Sequence, residues 1–525
     1  MPTPAIDNSE KSKLRRLSFV LKICVFATGC VAIVTEYTLA TLASYLLGDA
    51  ILQWPIVISF MLFSMGLGSR YSRNFEAQLL DRFVLTEFGL SFLCTFSAMF
   101  CFWISAYTMH FGLVIYGVAC MIGFMTGLEI PLITRINQAY EPLRENISSV
   151  MEFDYYGALL GGALFAFVLL PFLGLTYTPV LLGSLNLLVA SLILWFFPDH
   201  LARPRIFKAQ FAVLLLVSIL AFAVAKPIVL YGEQHKYKDK IVYQEQTRYQ
   251  KIVVTQWKDD YWLFINGSTQ FSTYDEERYH EPLVHPLLGL IKERKDILLL
   301  GGGDGLAARE ILKYPDVENL TLVDLDPAMT QLARQNYIFL GINHGSLNDP
   351  RVRVVNQDAY QFIKNSGDLY DAVIVDLPDP KSVSLSLLYS LEFYKMVEKH
   401  LKPFGAMVTQ STSPLYSPEA FLCIKKTMEA AGFSTLPYQN SVPSMGLWGW
   451  ILGVRQKAMP AQRLKQDLIA LEFADIKTRF LNRDAMISMA YFGKGLFEKE
   501  AQIEPNTQFD HNILKYYRQG SWDLY

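Results

Sequence analysis

The sequence predicts two halves of different fold class: an amino-terminal α-helical multi-pass membrane domain, then a carboxyl-terminal α/β doubly wound sheet preceded by a small β-hairpin domain. Three observations carry this. Of the 525 residues, 52% are hydrophobic and 14% aromatic, and mean hydropathy is positive, which is too apolar for one soluble domain. The apolar excess is confined to the first half. In the second half short apolar runs alternate with helical stretches, the pattern of a parallel sheet covered on both faces.

Within residues 1–231, apolar stretches at 17–45, 54–67, 88–109, 111–133, 156–175, 177–197 and 207–230 give about seven spans, most of them long enough to cross a bilayer. The first stretch is long, lacks a small-residue cleavage site and is followed by further spans, so a cleaved signal peptide is not expected. Lys11, Lys13, Arg15 and Arg16 precede the first span, and Arg70, Arg73, Arg82, Arg135, Arg144, Arg203, Arg205 and Lys208 fall in alternate loops. Their placement puts the amino terminus in the cytoplasm. Seven full crossings would then export the carboxyl half, whereas Lys236, Lys238 and Lys240 beyond the last span favour the inside.

Glu36 and Glu129 fall within or near the ends of apolar segments, where a carboxylate either marks a transport path or simply forms an internal hydrogen-bonded pair or lies near the interface; the second, structural reading is favoured. Gly157 and Gly161, spaced as GxxxG, suit close helix packing. Five cysteines lie in the spans and Cys423 stands alone in the second half, so neither a disulfide framework nor a metal site is implied. A net charge of −2 indicates no nucleic-acid partner.

Residues 232–290 contain two strand-like stretches, KIVVTQW and YWLFING, joined by polar residues at 258–260, which predict a hairpin. Over 291–456, strands are expected at 297–300, 320–326, 352–358, 372–377 and 406–410, with another at 448–454. Ser417 is placed to open a helix, with Glu419 suited to its dipole. The extension 457–525 reads as partly helical and is assigned no chemistry.

The informative turn is DILLLGGGDG at 296–305. An apolar strand closed by glycines lets a nucleotide approach the backbone, but a pyrophosphate cradled there would be repelled by Asp304. Asp304 therefore argues for a cationic ligand group. In open α/β sheets the first and fourth strands commonly flank the crevice, so Asp304 and Asp376 should face one another, with Asp379 just beyond. Asp324 ends the second strand, about twenty residues past the glycines, where a carboxylate accepts ribose hydroxyls. Asp358 ends the third. Each acid alone reads more readily as a helix cap or turn residue; acids at four successive strand ends do not.

GGGDG at 301–305, VDLDP at 323–327, DLPDP at 376–380 and the upstream YQKIVV and DEERYHEPLVH resemble the polyamine aminopropyltransferases, of which spermidine synthase is the type member. The resemblance covers roughly 243–454 and implies a Rossmann-like (class I methyltransferase-like) sheet. It implies that Gln250, the turn glycines Gly301 and Gly303, Asp324, and Asp358 with Ala359 hold the methylthioadenosine part of decarboxylated S-adenosylmethionine, a co-substrate rather than a prosthetic group. It also implies that His280 and Asp304 contact the polyamine or aminopropyl group, that Asp376 is the proton acceptor, that Asp379 is its partner on the amine, and that Tyr279 lines the groove. The acceptor expected from the family is putrescine, with spermidine and S-methyl-5′-thioadenosine as products.

The chemistry asks for the same residue types. The nucleoside carries a sulfonium and an ammonium, and the acceptor adds positive charge, so carboxylates must gather cations at close range. In-line attack needs a neutral, aligned amine, which is chiefly positioning. Two departures bear on the acceptor: Val383 stands where the family has a proline against the adenosine, and VPSMGLWGW at 442–450 looks more like the thermospermine-forming branch. Of Trp448 and Trp450, at least one is expected to be ordinary core. A longer-amine synthase and a non-catalytic membrane polyamine sensor or transporter are therefore the alternatives; an S-adenosylmethionine methyltransferase fits less well, because Asp304 would repel the methionine carboxylate. A nucleoside made in the cytosol favours a cell-membrane protein with a cytoplasmic catalytic half, the last apolar segment, interrupted by Lys226 and Pro227, being the one that fails to cross. Small-molecule substrates and the lipid bilayer are the expected partners; assembly into a homo-oligomer is left open.

Overall fold

A computed structural model describes residues 8–47, 50–108, 110–456 and 459–522. Met109 and Lys457, which bounded two sequence segments, lie outside it, as do the side chains of Lys11 and Lys13. The chain divides into two compact units, Met1–Lys240 and Ile241–Tyr525.

The first unit contains helices α1 (Asn8–Leu47), α2 (Ala50–Ser72), α3 (Leu79–Ser105), α4 (Phe111–Asn137), α5 (Leu143–Leu164), α6 (Gly174–Phe196) and α7 (Pro204–Gln234), with a π-helical stretch, Phe165–Leu173, between α5 and α6. Six runs are long and apolar enough to cross a membrane, and one of them, Leu143–Phe196, has 54 residues. At 1.5 Å per residue that is roughly 80 Å, more than twice a hydrocarbon core. The run folds back on itself. Gly174, at φ +60°, leaves the helix; the Thr178 hydroxyl then donates to the Leu169 carbonyl at 3.3 Å, and Tyr140 before α5 meets Phe197 after α6 at 6.0 Å between ring centroids. It thus forms two helices, α5 and α6.

Contacts at the helix ends fix their directions. At one end of the unit Lys22 pairs with Glu141 at 2.9 Å, Arg135 donates to the Phe75 carbonyl at 2.5 Å, and Asp81 accepts from the Ala202 amide at 3.1 Å. At the other end Tyr45 donates to Glu233 and Tyr107 meets Tyr231, both at 2.9 Å, and Tyr116 donates to Gln53 at 2.6 Å. Helix α7 therefore traverses the whole unit. Lys226 and Pro227 do not interrupt it: packing against α3 and α6 carries the helix through a proline that removes a single donor. A Cβ at Gly161 would come within 2.7 Å of the Cys30 carbonyl, so glycine sets the close approach of α5 to α1. Glu129 lies beside Glu87 of α3, a buried partner that the sequence did not single out.

The second unit opens with a four-stranded sheet, β1 (Lys240–Gln246), β2 (Lys251–Trp257), β3 (Asp260–Ile265) and β4 (Ser268–Ser272), paired in that order. The β2–β3 pair is the expected hairpin; β1 and β4, short and polar, add to it. Helix α8 (Glu277–Leu290) follows, then a seven-stranded sheet in the order β10-β11-β9-β8-β5-β6-β7. Its strands are β5 (Asp296–Gly301), β6 (Asn319–Asp324), β7 (Val352–Asn356), β8 (Tyr370–Asp376), β9 (Leu401–Gln410), β10 (Phe433–Val442) and β11 (Gly446–Arg455). Strands β5 to β9 run parallel and β10–β11 form an antiparallel edge hairpin. Along β5, Ile297 and Leu299 enter one core layer while Leu298 and Leu300 enter the other, all fully buried. Both faces are covered, as a doubly wound parallel sheet requires.

Strands β6 and β7 end earlier than expected because the next acids turn outward as helix caps. Asp326 accepts from the Ala328 amide at 3.1 Å and Asp358 from the Gln361 amide at 2.8 Å. Ser417 precedes the helix Pro418–Ala430, but its hydroxyl donates to the Tyr516 carbonyl at 3.4 Å instead of capping it.

Candidate active site

Neighbouring parallel strands β5 and β8 place Gly301 opposite Asp376, and the chain departs in opposite directions from their carboxyl ends. The glycines make this junction close. Gly301, at φ +85°, has no room for a Cβ, which would collide with the Asp376 carbonyl. At Gly303 a Cβ would sit 2.5 Å from Asp324 Oδ2, to which the Gly303 amide donates at 3.1 Å. The turn is thus threaded between the acids that end β8 and β6. Asp324 Oδ1 also accepts from the Asp326 amide at 2.9 Å, so its orientation is fixed by the backbone. Asp304 Oδ1 accepts from the Leu306 amide at 2.8 Å.

Helix α8 supplies the opposite wall. The Tyr279 hydroxyl donates to Asp376 Oδ1 at 2.7 Å, and its ring lies 5.5 Å from Trp450. Trp450 is fully buried and stacks on Tyr438, so it is core, as expected of at least one of the two tryptophans. His280 Nδ1 sits 3.0 Å from Glu276 Oε2 and 2.9 Å from the Glu276 carbonyl. Arg309 Nη2 donates to both oxygens of Glu276 at 2.9 Å, which locks the carboxylate that holds the histidine. Glu276 and Arg309 were not singled out from sequence; their contact spans thirty-three residues.

Beyond β8, Asp379 Oδ2 accepts from the Tyr517 hydroxyl at 2.9 Å and Oδ1 from Gln410 Nε2 at 3.4 Å. Neither donor was expected. Thr247, also missed, donates to Asp326 Oδ2 at 2.8 Å and ties the loop that carries Gln250 to the end of β6. Asp358 and the buried Ala359 sit at the end of β7, two strands from β5. Val383, in the chain that leaves β8, starts a short helix, Val383–Leu387.

Asp304, Asp324, Asp376 and Asp379 are all half-buried, walled by protein yet open to a ligand. Burial pushes the Asp324 and Asp376 carboxyls up to about 6 and raises Asp304 and Asp379 in the same direction. For Asp376 the desolvation outweighs the nearby His280, and Asp304 adds repulsion. His280 is pushed up to about 9: its burial opposes the charge, but Glu276, Asp304 and Asp376 more than restore it. Four acids around one imidazolium leave a site that favours a ligand with several positive charges. A surface cleft of about 540 Å³, lined in part by Leu436, Tyr491 and Phe497, contains none of these residues.

Residues 276–466 match the spermine/spermidine synthase domain family. The chain is 42% identical to polyamine aminopropyltransferase 2 of Aquifex aeolicus over 95% of its own length and 99% of that protein. It is 37% identical to the polyamine aminopropyltransferase of Oceanobacillus iheyensis over 96% and 98% respectively, so both alignments run through the apolar half. A crystal structure of spermidine synthase with the transition state analogue AdoDATO superimposes with a TM-score of 0.46 and 22% identity, covering 50% of this chain and 89% of that one.

Proposed function

The chain belongs to the polyamine aminopropyltransferase family, and we propose that it transfers the aminopropyl group of decarboxylated S-adenosylmethionine to putrescine, giving spermidine and S-methyl-5′-thioadenosine. The observation that carries this is the opposition of Asp304 and Asp376 across the β5–β8 junction, with Tyr279 and His280 closing the far side. In this reading Asp304 takes the ammonium of the aminopropyl group, Asp324 the ribose, and Asp358, Ala359 and Gln250 the adenine end. The turn at Gly301 and Gly303 gives the nucleoside close access to the backbone. Asp376 and Asp379 hold the acceptor amine, with Tyr279 and His280 fixing its approach.

The step is one displacement. The amine lone pair forms a C–N bond to the carbon beside sulfur; the C–S bond breaks, and its electron pair stays on sulfur, which becomes a neutral thioether. The proton leaves nitrogen through Asp376 to water. No prosthetic group takes part. A longer acceptor is the second reading, favoured by VPSMGLWGW, which forms the β10–β11 turn beside Tyr279. A methyltransferase would have to place a carboxylate against Asp304. Detergent-solubilised protein given decarboxylated S-adenosylmethionine and putrescine is expected to release spermidine and methylthioadenosine in equal amounts; product only with a triamine would favour the second reading, and none with any amine would sink both.

We further place the helical unit in a lipid bilayer with its cationic end inside. Arg15, Arg16 and Lys22 lie at the start of α1, Arg70, Arg73 and Arg82 between α2 and α3, Arg135 and Arg144 between α4 and α5, and Arg203, Arg205 and Lys208 between α6 and α7. The connections at the opposite end, around residues 47–50, 106–110 and 174, carry no Lys or Arg. Short-loop charge of this asymmetry orients a bundle, whereas Lys236, Lys238 and Lys240 precede a long domain, where charge counts for little. Seven crossings would deliver residue 234 to the outer side, but a nucleoside made in the cytosol favours a cytoplasmic catalytic half, with the helical unit crossing an even number of times. A carboxyl-terminal green fluorescent protein fusion is expected to be bright and an alkaline phosphatase fusion inactive; the reverse pair would overturn the cytoplasmic placement.

A further inference from the structure

Tyr517 belongs to the terminal helix Asn512–Arg518, 138 residues from Asp379 and outside the 276–466 that match the family. Its placement does not depend on a ligand. Ile513 and Leu514 of the same helix are buried, the Tyr517 ring packs at a tilt against Trp522 with centroids 4.6 Å apart, and Trp522 Nε1 donates to the Tyr517 carbonyl at 2.8 Å. The segment leading to the helix is keyed to the catalytic unit: Asn506 Nδ2 donates to the Ser386 carbonyl at 2.8 Å, His511 Nδ1 lies 2.8 Å from the Ser386 hydroxyl, and the Gln508 amide donates to Glu392 at 2.9 Å. Further upstream, Glu281 of α8 accepts from the amides of Arg479, Phe480 and Leu481 at 2.6, 2.9 and 2.7 Å. The extension is bound along its length to the elements that wall the crevice.

We propose that Tyr517 is a positioning residue for the acceptor amine, acting through Asp379, so that the carboxyl-terminal extension completes the amine subsite; this rests on the aminopropyl-transfer reading above. A carboxyl group holds an ammonium only when ionised, and burial opposes ionisation of Asp379. A hydroxyl donating to Oδ2 stabilises the anion and leaves fixed lone pairs for the amine. The other ionisable groups facing Asp379 are Lys381 on its own loop, Tyr389, Tyr279 and Asp376. Lys381 favours the Asp379 anion through its charge, while its Nζ donates to the Ser268 hydroxyl at 2.7 Å. Gln410 approaches Oδ1 at the longer distance while also serving the Leu377 carbonyl and the Tyr389 hydroxyl. Tyr517 is therefore the shortest donor to the carboxylate.

The test compares full-length wild type with Tyr517→Phe, which keeps the ring against Trp522 and removes one oxygen. Loss of a hydrogen bond to a charged group is expected to raise KM for the amine about tenfold, with kcat and KM for the nucleoside unchanged. The acid limb of kcat/KM for the amine should move to higher pH, because the neutral form of Asp379 gains ground. In an Asp379→Asn background the same substitution should add nothing. Unchanged amine KM and pH limb in an active enzyme, additive effects in that cycle, or equal loss for both substrates with a lower unfolding temperature would each overturn the proposal. Wild type inactive with every amine would instead sink the transfer reading, and this inference with it.

Discussion

Asp376→Asn is expected to lower kcat by about a hundred- to ten-thousand-fold, the range seen when a positioned general base is removed, while methylthioadenosine still binds. Ordinarily a carboxyl group lies about six pK units below an alkyl ammonium and makes a poor base for it. Here burial beside Asp304 lifts Asp376 to about 6, and the gap narrows to about four. In the proposed reading the residual mismatch leaves Asp376 to align the amine and pass its proton on as the C–N bond forms, when the nitrogen becomes acidic. The pH profile carries the same signature. A raised carboxyl must be deprotonated to work, so activity is lost as pH falls through about 6 and is complete above it until other groups titrate. Tyr279→Phe removes the 2.7 Å donor to Oδ1, so its acid limb should lie higher. Near-normal turnover in Asp376→Asn, measured as methylthioadenosine release, would take Asp376 out of the mechanism.

The second large effect concerns choice of nucleoside. Asp304→Asn is expected to weaken binding of decarboxylated S-adenosylmethionine by about ten- to a hundred-fold, in line with the ~1.5–3 kcal/mol of a hydrogen bond to a charged group. Binding of S-adenosylmethionine itself should change little or improve, because the amide neither attracts its ammonium nor repels its carboxylate. Selectivity, the ratio of the two dissociation constants from calorimetry, is the decisive readout. If both ligands weaken equally, Asp304 serves the turn through its 2.8 Å bond to the Leu306 amide and does not read the ligand.

Much of this arrangement was legible because the parallel strands write themselves as apolar runs ending in an acid. Leu298 to Leu300 and Val373 to Val375 are buried on both sides and can hardly be anything else. Strand β10 was missed for the opposite reason: Pro437 and the polar run from Gln439 to Ser441 break the apolar signal in an antiparallel edge strand. Asp326 and Asp358 show where local chemistry and site chemistry share a residue, since each caps a helix at the end of a strand. The partners of site residues were the least readable. Nothing near Asp379 announces Tyr517, and nothing near His280 announces Arg309, because those contacts exist only once distant helices have packed. In the helical unit the Arg and Lys pattern and the apolar stretches were plain, whereas the fold-back at Gly174 and the Tyr45–Glu233 contact exist only once the helices have packed.

The row of acids along the crevice also governs how a turnover ends. In the proposed reading, transfer hands the aminopropyl ammonium to the acceptor and turns the sulfonium into a neutral thioether, so the nucleoside would lose its attraction to Asp304 at the moment of reaction. The elongated amine, once reprotonated, carries one more positive charge than the acceptor that entered. Asp304, Asp376 and Asp379 grip it at least as firmly as they gripped the substrate. On that reading charge would order the departure of the products, nucleoside first and polyamine last, with escape of the amine the slow event whenever chemistry is fast.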